Sequence, residues 1–146
     1  MRWENLRTLF GQHGDRSIDE VHSVEPRPLN ERETGWIRDI LQVNDEWRDA
    51  DISRTQVVAE GWCGENGVSW SSILQAPEPE NPNPKSERES VGNLWINNDD
   101  GSVINVQLSQ FKGRLQEIYV LFVDTKHPKR KLPETWTEVS REAANL

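Results

Sequence analysis

The sequence predicts an α+β fold: an antiparallel β-meander of about five strands packed against one main helix, with a short N-terminal helical appendage. Three observations carry this. Ile118 to Val123 is an unbroken run of β-branched, aromatic and aliphatic residues, too apolar on both faces for a strand with one side in water. Residues from Asn30 onward follow a helical period. Between Thr55 and Phe111, alternating apolar runs are separated by Gly, Pro, Asn and Asp, the pattern of strands joined by turns.

In chain order, Trp3, Leu6, Leu9 and Phe10 fall at near-helical spacing, and Gly11 and Gly14 end that segment. Residues 15–28 are mostly polar and close with Pro26 and Pro28. Residues 1–28 therefore read as an arm on a single domain spanning 29–146. The main helix opens at Asn30, a good N-cap, with Glu33 at the third helical position of a capping box. Trp36, Ile37, Ile40 and Leu41 make one buried stripe. The helix is expected to run about four turns, then break near Asn44. Asp45 and Glu46 suit the first turn of a new short helix better than the end of the old one, with Trp47 anchoring it.

Strands are expected at Gln56–Cys63 and Val68–Leu74, around the turn residues Gly64 to Gly67. Four Pro between 77 and 90 mark an exposed loop. Leu94 and Ile96 alternate, Asn98-Asp99-Asp100-Gly101 is a hairpin turn, and Ile104, Val106 and Leu108 alternate on the return strand. Lys112-Gly113 turns the chain into the central strand, 115–123, flanked by 102–109. The tail from Thr125, with Pro128 and Pro133, is expected to be irregular or helical around Trp136.

A chain of 146 residues with 34% apolar and 29% charged content suits one domain with a modest core. No apolar stretch approaches the roughly 20 residues that span a bilayer, the N-terminus lacks an apolar signal region, and one Cys forms no internal disulfide. A cytoplasmic setting with no membrane partner is expected. The net charge is −8. Residues 31–100 hold six basic and fifteen acidic groups, against seven and five from 101 onward. Such a field repels phosphate backbones, which argues against direct nucleic-acid binding, and attracts basic proteins.

No residue set names a reaction. His13, His22 and His127 lack metal-ligand spacing, and Cys63 has no His nearby in sequence to activate it. Ser69, Ser71 and Ser72 lack the setting of a nucleophile elbow, and no phosphate loop is present. The expectation is a non-enzyme with no metal and no cofactor. Trp62, Trp70 and Trp95 fall in predicted strands. They read either as packing or as a platform on which sugar rings stack, which gives the alternative of a carbohydrate-binding or enzyme-accessory module.

Leu29-Asn30-Glu31-Arg32-Glu33 at a helix start, the Cys63-Gly64 strand end, the Pro-rich loop, the Asp-Gly hairpin and Gly113-Arg114-Leu115-Gln116-Glu117-Ile118 occur in that order. Over about residues 29–124 the chain resembles a family of small bacterial immunity proteins that accompany polymorphic or contact-dependent toxins. The resemblance implies a non-enzymatic protein that binds a cognate toxin. The acidic balance adds that the toxin domain is basic and is neutralised by covering its active site. Asp45, Glu46, Asp49 and Asp51 are the expected contact face, because they cluster where the helix register breaks. A solvated helix end is the other reading of that cluster.

Overall fold

The computed structural model describes residues 21–41, 49–63, 69–77, 88–98, 102–123, 132–134 and 136–143, with the backbone alone for 49, 50, 98 and 136–143. Strand β1 (His22–Pro28) leads into helix α1 (Glu31–Leu41) and the short helix α2 (Asp49–Ser53). Six strands follow: β2 (Gln56–Cys63), β3 (Ser69–Gln75), β4 (Arg88–Asn98), β5 (Val103–Phe111), β6 (Arg114–Phe122) and β7 (Trp136–Ala143). They form one sheet in the order β1-β2-β3-β6-β5-β4-β7, every pairing antiparallel.

The strands dominate, and the described residues form seven rather than about five. The two additions are the edges. Residues 22–28, expected in the arm, pair with β2. The Trp136 region, expected to be irregular or helical, pairs with β4. Edge strands tolerate what hid β1 in the sequence, since Pro26 and Pro28 remove donors that an outer strand need not spend on a ladder. The first twenty residues, including the expected N-terminal helix, lie outside the described residues.

β6 is the middle strand, with three strands on either side, as the apolar run at 118–123 predicts. Ile118, Val120 and Phe122 are buried on the side that carries the helices, while Tyr119 and Leu121 are half-buried on the other. Val123, expected in the strand, lies just past its end and is 47% exposed. Between β5 and β6 the register shifts, so that Ser109 pairs with Glu117 but Gln110 pairs with Leu115. The extra residue is a bulge that keeps Leu115 in the same core as Ile118. The turn joining β5 to β6 is Lys112-Gly113, with φ of 53° and 78°. Two positive φ values are what a two-residue hairpin matched to strand twist requires.

The expected break near Asn44 lies outside the described residues, and α1 is described over eleven residues, about three turns, up to Leu41. Its start is the anticipated capping box. The Glu33 N–H donates to Asn30 Oδ1 at 2.8 Å and the Asn30 N–H donates to Glu33 Oε1 at 2.9 Å. Glu33 also receives both Arg27 nitrogens, at 2.8 and 2.9 Å, and Arg27 reaches Glu60 at 2.9 Å. One guanidinium thus clips β1 to α1 and β2. Hydrogen bonding to Glu33 raises the Arg27 pKa further above its ordinary range. Trp36, Ile37, Ile40 and Leu41 are buried, as the stripe predicts, in one core with Ile52, Val57, Leu94, Ile96, Ile104, Val106 and Leu108. Arg32 lies 5.7 Å over the Trp36 ring and donates to the Pro133 carbonyl at 3.3 Å. Burial lowers its pKa.

Candidate functional site

The helices and main core occupy one face of the sheet, so the opposite face is where the fold can offer polar groups. Register places its residues in rows. Trp95, Asn105, Leu121 and Ser69 lie across β4, β5, β6 and β3, and Asn93, Gln107, Tyr119 and Ser71 lie across the next row. Ser90, Ser109, Glu117 and Ile73 lie across the third. A small cluster of Val21, Ala59, Cys63 and Ile73 is buried toward β2, with Val58 and Tyr119 against it. The rest of these rows is Trp95, Leu121, amides, hydroxyls and one ion pair.

Glu117 anchors the third row. It is 2% exposed, and its oxygens are divided between two partners. Ser71 Oγ donates to Oε2 at 2.5 Å and Arg88 Nη1 donates to Oε1 at 2.7 Å. Arg88 reaches Glu117 across β5 from a side chain 31% exposed. Burial raises the Glu117 pKa, while the Ser71 hydrogen bond and the Arg88 charge pull it down. The Ser109 hydroxyl, in the same row, is buried without a hydrogen-bond partner. A hydroxyl donating to a carboxylate is half of an activated nucleophile. Ser71, however, is as buried as Glu117 and sits in mid-strand. The pair's evident work is to satisfy a buried charge.

The second row and its neighbour hold an amide relay. Gln107 Nε2 donates to Asn105 Oδ1 at 2.9 Å, and Asn105 Nδ2 donates to Asn93 Oδ1 at 3.1 Å. Trp95 is the register partner of Asn105, is half-buried, and belongs to neither hydrophobic cluster.

The residues expected to matter are distributed differently. Asp45 and Glu46 lie outside the described residues. Asp49 begins α2. Asp51 is half-buried and ion-paired with Arg54 at 2.9 Å, while its carbonyl accepts the Thr55 hydroxyl at 2.8 Å. Of the four acids, the described structure therefore places two on α2, one of them already engaged.

Trp62 packs edge-on against Trp70, with centroids 5.2 Å apart, and tilted against Phe122 at 5.7 Å. Both Trp residues pack on the main core, so of the three Trp expected in strands Trp95 is the one on the polar face. Cys63 is buried, with its sulfur 3.2 Å from Ser69 Oγ. Among the described residues no group of three or more His, Cys, Asp or Glu assembles, and no helix is long and apolar enough to cross a membrane.

Glu117 and the amide relay were not singled out from sequence. The signals were present: a carboxylate directly before the apolar run 118–123, and amides at alternate positions 105 and 107 on a strand whose other parity is Ile104, Val106 and Leu108. Comparison of the chain with protein-family models, curated proteins and solved structures finds no match.

Proposed function

We propose that this chain is a non-enzymatic, acidic protein-binding domain of the immunity type, acting in the cytoplasm by lying over the active site of a basic toxin domain. The observation that carries the reading is the charge partition: six basic against fifteen acidic groups over residues 31–100. A field of that sign speeds encounter with a basic partner. The sheet supplies a rigid frame, and a surface on rigid elements loses little freedom on binding. Asp45, Glu46, Asp49 and Asp51 remain the proposed steering group, with Asp51 contributing less because Arg54 already offsets it.

The test is association kinetics against the protein encoded by the neighbouring gene, across a salt series. The wild type should associate quickly at low salt and slow steeply as the Debye length falls to about 10 Å at 0.1 M. Changing the four acids to Lys should slow association and flatten the salt dependence. Tight binding with no salt dependence would remove the electrostatic mechanism. A carbohydrate-binding or accessory module is the second reading. The placement of Trp95 beside the amide relay favours it.

A further inference from the structure

The geometry points to a subsite for a neutral sugar residue on the helix-free face of the sheet, formed by Trp95, Asn93, Asn105 and Gln107. It deepens the second reading and is independent of the toxin reading. The relay has a direction. Gln107 donates to Asn105, which donates to Asn93, so among the described residues the Gln107 carbonyl oxygen is left as an acceptor and the Asn93 amide nitrogen as a donor. These two residues are direct register partners, with Cβ atoms about 5 Å apart by strand geometry. A donor and an acceptor so spaced suit hydroxyl groups, which do both.

Two features make this more than a polar surface. Asn105 is 4% exposed and is held at both ends of its amide. The outer amides are therefore oriented before a ligand arrives, and little rotamer freedom is lost on binding. Hydrogen bonds in series also polarise one another. Beside them, Trp95 offers a half-buried indole that neither hydrophobic cluster of the described residues uses. A sugar ring has hydroxyls at its edge and C–H groups on its faces. The relay matches the first and an indole matches the second.

The patch also fits poorly with other ligands. On β4, β5 and β6 the patch around Trp95 carries no formal charge, and Glu142 of β7, the register partner of Asn93, borders it. A nucleotide's phosphates would meet a chain of net charge −8. A neutral polyhydroxylated ligand meets no such penalty.

The experiment uses the full chain on an array of neutral oligosaccharides, followed by NMR titration with the best binder. At least one glycan should bind with a Kd of about 1 mM or tighter. It should shift the Trp95 indole N–H and the side-chain amides of Asn93 and Gln107. Gln107 is exposed, so Gln107→Ala should fold normally and weaken binding about tenfold, equivalent to about 1.4 kcal/mol. Trp95→Ala should abolish binding and Trp95→Phe should retain part of it. Trp62→Phe, on the opposite face, should leave it unchanged. No binder on the array would overturn the subsite, as would a binder whose shifts and affinity ignore Trp95 and Gln107. Charge reversal of the acidic group on residues 45–51 tests only the toxin reading, so the two can fail separately.

Discussion

Glu117 lies in the middle strand with one oxygen on Ser71 and the other on Arg88. Burial favours its neutral form, so its pKa is raised in the folded chain. A carboxyl group that binds its proton more tightly when folded adds stability below its unfolded pKa, and that contribution is lost as pH rises through the folded value. The difference in unfolding free energy between wild type and Glu117→Gln should therefore favour wild type most in acid. It should decline with rising pH and level off above the raised pKa. Urea unfolding at a series of pH values measures it, and a difference that grew with pH would mean that the Arg88 ion pair outweighs burial. The sequence shows Glu117 immediately before the apolar run 118–123 but does not show its partners. Ser71 lies 46 residues away and Arg88 lies 29 residues away, and only the sheet order brings them together.

Elements defined by local chemistry were legible. The Asn30/Glu33 box, the Trp36 stripe and the Lys112-Gly113 turn each depend on residues within a few positions of one another. The edge strands were not. β1 carries two Pro and an irregular register between Ser23 and Arg27. β7 carries charged residues at 138, 141 and 142. An outer strand needs no two-sided apolar pattern, so its period is weak where its pairing is real. The β5–β6 turn gives a test at this scale. Gly113 has φ of 78°, where a Cβ costs about 1–2 kcal/mol. Gly113→Ala should lower the unfolding free energy by about that amount, while Lys112→Asn, better suited to positive φ, should hold or raise it. Chemical denaturation of both variants checks the pair, and an unchanged Gly113→Ala protein would mean that the hairpin relaxes to another turn.

At the scale of the molecule, β1 joins the sheet through β2 and is tied to α1 through Arg27. Deleting residues 1–28 therefore removes an edge strand and leaves Glu33, nearly fully buried, without its cation. Breaking a buried pair this way costs about 3–5 kcal/mol, and the partial exposure of Arg27 places this case toward the lower end. The shortened chain should melt well below the full chain, and equal melting temperatures would show that β1 is dispensable. The order β1-β2-β3-β6-β5-β4-β7 also sets a schedule. The strand in the centre of the sheet is the sixth of seven to leave the ribosome. Until Phe122 has emerged, β3 lacks its second neighbour, and the apolar residues of β2 and β3 wait without the strand that completes their layer. The local hairpins β4–β5 and β5–β6 can assemble quickly on their own, but they are made late. The first half of a nascent chain thus passes through an interval with an open strand edge, and in that interval it is most exposed to mispairing with its neighbours.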